Sequence, residues 1–314
     1  MKIVVAPDSY KGSLTAVEVA SVMRDAILAV DERIEVVVKP MADGGEGTLD
    51  SLIDATGSEK VAALCSGATG RQQTSYFGIT PEQTALIEMA NIAGLEQVAA
   101  AERHPGRTTT IGVGEVMLAA YERGCGSFIV GLGGSATNDG GLGLLQALGM
   151  RAFDAQGREL QGFGRDLLKV ARVCFEHFLP FVDEVQIRIA SDVDNPLCGS
   201  CGATYVYGPQ KGLNQQELAA YDAAMGRFAD LVEAELQVRY QDVAGAGAAG
   251  GLGFALLVLG AQLVSGAELV AGLIGLDEAL ESATAVFTGE GQSDGLALYG
   301  KAPSHVAELA AGHG

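Results

Sequence analysis

Residues 131–141 read Gly131-Leu132-Gly133-Gly134-Ser135-Ala136-Thr137-Asn138-Asp139-Gly140-Gly141. Five glycines, two hydroxyl side chains and an Asn-Asp pair share this stretch. Glycine lets a backbone come close to a ligand, and free N–H groups at a helix start attract anions. Ser135, Thr137, Asn138 and Asp139 add short polar groups suited to a phosphate or a metal. A tight turn with a helix cap needs fewer such residues, so this loop points to a phosphate or nucleotide site. A second constellation is Asp8-Ser9-Tyr10-Lys11-Gly12-Ser13. An acid, serine hydroxyls and a lysine within six residues suit an alcohol that also carries a carboxylate or a phosphate. Helix capping accounts for Ser13 and Thr15, but not for Asp8 with Lys11.

Other segments are balanced between chemistry and plain structure. Asp43-Gly44-Gly45-Glu46 reads equally as a substrate loop or as a turn with helix-start acids favoured by the dipole. Asp192 and Asn195 are oxygen ligands of the kind Mg²⁺ prefers, or members of an Asx turn before Pro196. Gly208-Pro209-Gln210-Lys211-Gly212 is a tight turn with a projecting lysine. Glu290 and Lys301 follow the last visible strand. His104, His177, His305 and His313 are scattered and suggest no site. There is no Walker A loop, because Gly300-Lys301 is followed by Ala302. A nucleophile elbow, HExxH, a kinase HRD set and GxGxxG after the first strand are also missing.

These loops sit at junctions of alternating strands and helices. Lys2–Ala6 is a β-branched run, and Thr15-Ala16-Val17-Glu18 is a capping box. Val19, Val22, Met23, Ala26, Ile27 and Val30 then recur at helical spacing, and Ile34–Val38 is the next strand. Residues 2–38 therefore form a parallel-sheet unit. A helix is expected near Leu49–Ala55. Val61–Cys65, Thr74–Ile79 and Thr84–Met89 are short strands between turn signals, which predicts antiparallel ribbon. Helical texture returns at Gly112–Arg123. The glycine-rich loop lies between the strand Ser127–Val130 and the helix Leu142–Leu148. Val185–Ala190 is a strand ending in the polar Ser191–Pro196 turn, where a ligand could sit. Leu218, Tyr221, Met225, Phe228 and Val232 mark a long helix packed on a core. Gly245–Gly253 reads as a helix N-terminus with close backbone approach, leading into Phe254–Leu259. Ala285–Thr288 is the final strand.

Composition narrows the class. A chain of 314 residues, 48% hydrophobic and 19% charged, can bury a sizeable core and suggests two domains. Its 44 glycines are about twice the usual ~7% share and follow no fixed period, so collagen-like and disordered readings fail. The net charge of −19 repels nucleic acid and anionic membrane. An anionic substrate would then depend on local lysines, which singles out Lys11, Lys211 and Lys301, each beside a glycine. Five cysteines with one close pair, Cys198-Gly199-Ser200-Cys201, fit reduced thiols of a cytosolic protein better than a zinc site. No signal peptide or membrane-length apolar run is visible.

Taken together, the loops resemble the bacterial glycerate kinase family, the type 1 group that phosphorylates D-glycerate with ATP. The matching segments are Ala6–Thr15, Met41–Thr48, Gly133–Gly141, Ser191–Val193 with Asn195–Gly199, Gly208–Gly212, Gly245–Gly253, and Thr288–Gly291 with Gly300–Pro303. They run in order over essentially the whole chain. Two departures stand out. Gln292-Ser293-Asp294 lacks the arginine that the family places after Gly-Glu-Gly, and Ala297-Leu298-Tyr299 replaces its usual Gln-Thr. Members of the family also continue some tens of residues past Gly314, so the last strands and helix of a domain are expected to be missing.

The resemblance implies an α/β fold of two domains with a cleft between them. A Rossmann- or flavodoxin-like parallel-sheet domain would combine residues 1–60 with 283–314, and a second, inserted α/β domain would span 61–282. It implies Mg²⁺ and ATP against the glycine-rich loops, with Gly133, Gly134, Ser135, Thr137, Asn138, Gly250 and Gly251 as nucleotide contacts. Lys11, Asp8 and Asp192 would be catalytic. Ser9, Asp43, Lys211, Glu290 and Lys301 would bind substrate, and Asp139 and Asp192 would hold metal. Either Asp192 or Asp43 would orient the attacking hydroxyl or bind Mg²⁺. The expected product is 2-phosphoglycerate. The alternatives are 3-phosphoglycerate or, from another class, a non-catalytic nucleotide- or anion-binding regulator. The expected partner is D-glycerate, with no nucleic acid and no membrane, in the cytoplasm, and with homo-oligomerisation left open.

Overall fold

The computed structural model describes residues 1–10, 13–42, 47–179, 184–291 and 302–313. Of the candidate residues, Lys11, Asp43 and Lys301 lie outside these. The chain opens with β1 (Lys2–Val5), α1 (Ala16–Val30), β2 (Glu35–Val38) and α2 (Thr48–Thr56). The capping box at Thr15 is formed as the sequence predicts. The Glu18 N–H donates to Thr15 Oγ1 at 3.2 Å, and the Thr15 N–H donates to Glu18 Oε2 at 2.8 Å. β1 pairs with β2 in parallel.

Next come β3 (Glu59–Ser66), β4 (Gln72–Ile79) and β5 (Thr84–Glu88), an antiparallel ribbon as the alternation and turn signals require. α3 (Met89–Ala93) and α4 (Ile111–Glu122) lead to β6 (Ser127–Gly131) and α5 (Leu142–Ala147). A small antiparallel pair, β7 (Arg151–Phe153) and β8 (Arg172–Cys174), precedes β9 (Gln186–Ala190). Then follow α6 (Ala203–Tyr207), α7 (Gln215–Leu236), α8 (Ala248–Val258), β10 (Gln262–Val264), α9 (Gly266–Leu273) and α10 (Leu276–Leu280). β11 (Ala285–Phe287) and α11 (Ala302–Gly312) close the described fold.

Among the described residues, two larger sheets result. One has the order β11-β1-β2, all parallel. The other has the order β10-β9-β6-β5-β4-β3, parallel from β10 to β5 and antiparallel beyond. The fold is α/β, with helices supplying the crossovers that parallel strands need. The core of the six-stranded sheet includes Phe77, Phe128, Phe228 and Phe254, all fully buried. A second cluster joins the sheets, because Val4 and Ala6 of the first share it with Leu86 and Ile129 of the second. Ala267–Ala271 and Leu276–Leu280 also contribute to that cluster, and α9 and α10 pack on α11. Segment 266–280 thus packs beside the first sheet, a placement that strand patterning alone does not indicate.

Candidate active site

In open α/β sheets, ligands collect beyond the carboxyl ends of parallel strands. In the three-stranded sheet, β1 delivers Asp8 and Ser9 there, and β11 delivers Glu290. The Asp8 N–H donates to the Gly289 carbonyl at 2.8 Å, and the Thr288 hydroxyl donates to the Ala6 carbonyl at 2.7 Å. These bonds hold the two loops side by side. Asp8 is buried, and its Oδ1 accepts from the Ser9 N–H at 2.6 Å. Ser9 and Glu290 are half-buried. The structure therefore brings Asp8, Ser9 and Glu290 to one sheet end.

In the six-stranded sheet, β6 delivers the glycine-rich loop and β9 delivers Asp192. Leu132 N–H donates to the Ala190 carbonyl at 3.4 Å, so the two loops leave adjacent strands. Asp192 is exposed, and its Oδ1 accepts from Gly266 N–H at the start of α9, at 2.9 Å. Within the glycine-rich loop the accessible part is short. Gly133 is half-buried and Gly134 exposed, while Ser135 is 8% exposed. Gly134 has φ +70°, a conformation that favours glycine.

The rest of that loop faces inward. Thr137, Asn138 and Asp139 are fully buried. Thr137 Oγ1 donates to the Ala249 carbonyl at 3.3 Å, and Asn138 Nδ2 donates to Thr204 Oγ1 at 2.9 Å. Both side chains are turned into the protein interior. Gly250 and Gly251 are buried too. A Cβ on Gly250 would overlap the Thr137 carbonyl oxygen, and one on Gly251 would overlap Gly140. Gly140 N–H donates to the Gly250 carbonyl at 3.0 Å. Ala249, Gly250 and Gly251 take left-handed φ values of 52°, 71° and 91° inside α8. These glycines let two loop backbones touch each other rather than a ligand. The expected close approach is present, but its object is the β6 loop.

Asp139, a metal ligand in the sequence reading, is engaged elsewhere. Its Oδ2 accepts from the Thr110 N–H and hydroxyl, both at 2.8 Å, and from Gly143 N–H at 3.4 Å; Oδ1 accepts from Gly141 N–H at 3.1 Å. Burial pushes its carboxyl pKa up, and these four donors pull it back down. With its oxygens so engaged, Asp139 ties the starts of α4 and α5 together and has little left for a cation. Among the described residues no group of three or more His, Cys, Asp or Glu side chains is placed to hold a metal ion.

Lys211, expected to project toward substrate, is 2% exposed. Its Nζ donates to Ser135 Oγ at 2.8 Å and to the Thr137 carbonyl at 2.7 Å. Burial lowers its pKa to about 7, with the Asp139 carboxylate pulling the other way. The geometry brings Lys211, Ser135, Thr137 and Asp139 into one buried knot under the accessible Gly133-Gly134 tip.

Sequence reading passes over Glu88, the last residue of β5. It is 4% exposed; its Oε1 accepts from Gly47 N–H at 2.7 Å and its Oε2 from Leu49 N–H at 3.3 Å. It thus ties the start of α2 to the carboxyl end of the six-stranded sheet. An acid closing the apolar run Thr84-Ala85-Leu86-Ile87 is the signal that the sequence offers.

Comparison with known proteins places this architecture. The glycerate kinase of Haemophilus influenzae is 43% identical over 312 residues, covering 99% of this chain and 82% of that protein. The glycerate 2-kinase of Escherichia coli K12 is also 43% identical, with the same coverage. The crystal structure described as glycerate kinase 2 from Salmonella typhimurium LT2 has a TM-score of 0.92 at 41% identity, covering all of this chain and 84% of that one. With residues 3–314 matching the family pattern as well, the chain belongs to the glycerate kinase family and is a phosphotransferase.

Proposed function

We propose that this protein transfers the γ-phosphoryl group of ATP to the 2-hydroxyl of D-glycerate, giving 2-phosphoglycerate and ADP, with Mg²⁺ required. The observation that carries the reading is the pairing of two kinds of strand end. The accessible Gly133-Gly134 tip leaves the strand next to the one that carries Asp192 in one sheet, and the acid-bearing Asp8 and Glu290 loops adjoin each other in the other sheet. The choice of the 2-hydroxyl is supported by the Escherichia coli relative, which is named a glycerate 2-kinase.

Phosphoryl transfer needs positioning and charge neutralisation more than covalent catalysis. The nucleotide phosphates lie on the Gly133-Gly134 tip, the exposed part of that loop. Glycerate lies at the Asp8 and Ser9 end, with Glu290 beside it. Asp8, a buried carboxylate beside Ser9 at the carboxyl end of β1, accepts the proton of the attacking hydroxyl in this reading. Lys11, Asp43 and Lys301 complete the polar lining in this reading. Asp192 fits Mg²⁺: it is an exposed carboxylate with oxygen donors, and Mg²⁺ is held by one or two carboxylates together with substrate phosphates and water. When bound, the ion neutralises charge on the phosphates. The cytoplasm, where thiols stay reduced, suits the five free cysteines. Among the described residues no helix is long and apolar enough to cross a membrane.

The test is turnover of ATP with D-glycerate and Mg²⁺, with the product identified by phosphorus NMR. A product of 3-phosphoglycerate overturns the hydroxyl assignment. ATP binding without turnover on D-glycerate or other hydroxy acids returns the protein to a non-catalytic nucleotide-binding regulator.

A further inference from the structure

Lys211 ends the 3₁₀ turn Pro209–Lys211 and reaches under the β6 loop. The turn is held from its far side as well. Gly212 has φ +103°, and a side chain there would overlap the Arg103 carbonyl. The ammonium therefore has a fixed origin and two fixed acceptors, Ser135 Oγ at 2.8 Å and the Thr137 carbonyl at 2.7 Å. Burying an amine is costly unless it is hydrogen-bonded, and these two acceptors supply that. While charged, below about pH 7, the lysine has donors and no acceptor lone pair, whereas a serine hydroxyl can both donate and accept. Because Ser135 Oγ accepts from Lys211, its own hydroxyl proton is turned away from that nitrogen. Beside Ser135 lie the exposed Gly134 and the half-buried Gly133.

We propose that Lys211 is a positioning residue: it fixes the Ser135 hydroxyl as a donor toward an anion resting on the Gly133-Gly134 tip, and touches no substrate itself. The anion in question is a nucleotide phosphate, which rests on the placement of ATP proposed above. Thr137 anchors the same amine through its backbone, so the donor direction of Ser135 is set relative to the loop and not by the ligand.

A double-mutant cycle in the intact enzyme tests this. Ser135→Ala raises KM for ATP about tenfold, the loss of one charge-assisted hydrogen bond, and leaves KM for glycerate within about twofold. Lys211→Met raises KM for ATP to a similar extent. The double variant is no worse than either single one, because Lys211 acts through Ser135. Additive losses of about a hundredfold mean that Lys211 contacts nucleotide directly, and they overturn the proposal. So does a folded Lys211→Met protein with unchanged KM for ATP. If the methionine variant does not fold, Lys211→Gln takes its place in the cycle, since it keeps a donor for the buried acceptors. Its loss should likewise vanish in the Ser135→Ala background, and additive losses again overturn the proposal. A Ser135→Ala variant with unchanged KM for ATP instead defeats the placement of the nucleotide, whatever Lys211 does.

Discussion

One oxygen of Asp139, Oδ2, accepts both the backbone N–H and the hydroxyl of Thr110, each at 2.8 Å. The same hydroxyl oxygen accepts from Leu144 N–H at 2.9 Å. Two helix starts, those of α4 and α5, are thus joined through a single carboxylate, and the β6 loop is the strap between them. Asp139→Asn puts an amide nitrogen against at least one of four fixed donors. Leaving a buried donor unpaired costs about 1–3 kcal/mol, so the variant should lose roughly 2–4 kcal/mol of stability. The Mg²⁺ concentration that gives half-maximal activity should stay as in the parent. Thermal melts and a Mg²⁺ titration of the same preparation check both parts; a shifted titration with an unshifted melt would return Asp139 to the metal.

Gly250 carries a second prediction. Its φ is +71°, and a Cβ there would lie 2.1 Å from the Thr137 carbonyl oxygen. Gly250→Ala is therefore both sterically blocked and conformationally strained, and should destabilise by more than about 3 kcal/mol. KM for ATP in the surviving folded fraction should be near normal. A stable Gly250→Ala protein with weakened ATP binding would mean that this glycine faces the nucleotide after all.

The sequence locates these loops well and misleads about their insides, for reasons of range. The Thr15–Glu18 capping box is a local pattern, and it is formed as read. The antiparallel ribbon of β3 to β5 follows from alternation and turn chemistry, which are also local. Gly250 announces conformational freedom, but its partner Thr137 lies more than a hundred residues away in the chain, and spacing does not say which backbone approaches. Lys211, flanked by polar turn residues, reads as a projecting lysine. Its burial depends on Arg103, Ser135 and Thr137 converging on one turn. Glu88 is hidden by the opposite problem. A single acid at the end of a strand is common, and only the N–H groups of Gly47 and Leu49 converging on it mark it as an anchor.

Lys211 also makes stability depend on pH in a defined direction. Its folded pKa is about 7, against an unfolded value near 10.4. Between these values the unfolded chain binds a proton that the folded chain does not, so stability rises with pH across this window. The contribution is about 1.4 kcal/mol per pH unit, and the penalty of burying the amine is full below pH 7. The facing groups are the Asp139 carboxyl, buried beneath it, and the Tyr207 ring at 6.0 Å. Denaturant unfolding at pH 7 and pH 9, in the parent and in Lys211→Met, isolates the effect, because the two proteins share every other titratable group. The parent should gain stability relative to the variant as pH rises; a constant difference would show that the amine keeps its charge when folded.

Asp8 carries the last prediction, and the two sheet ends make it discriminating. It lies at the carboxyl end of β1, buried, with Ser9 N–H on one oxygen and its own N–H bonded to Gly289. Ser135, at the carboxyl end of β6, belongs to the other sheet. If Asp8 takes the hydroxyl proton as glycerate attacks, Asp8→Asn removes the base and keeps the shape. General-base catalysis is worth roughly 10²–10⁴-fold, so kcat should fall by at least about a hundredfold. KM for ATP should hardly move, since the site proposed for the nucleotide is on the other sheet's loop. The melting temperature should fall by only a few degrees, because the amide oxygen still accepts from Ser9 N–H. Steady-state kinetics varying each substrate in turn separates the cases. A fall in kcat with both KM values held marks a residue that acts in the transition state. A rise in KM for glycerate at constant kcat demotes Asp8 to substrate binding, and a rise in KM for ATP alone would move the nucleotide to the three-stranded sheet.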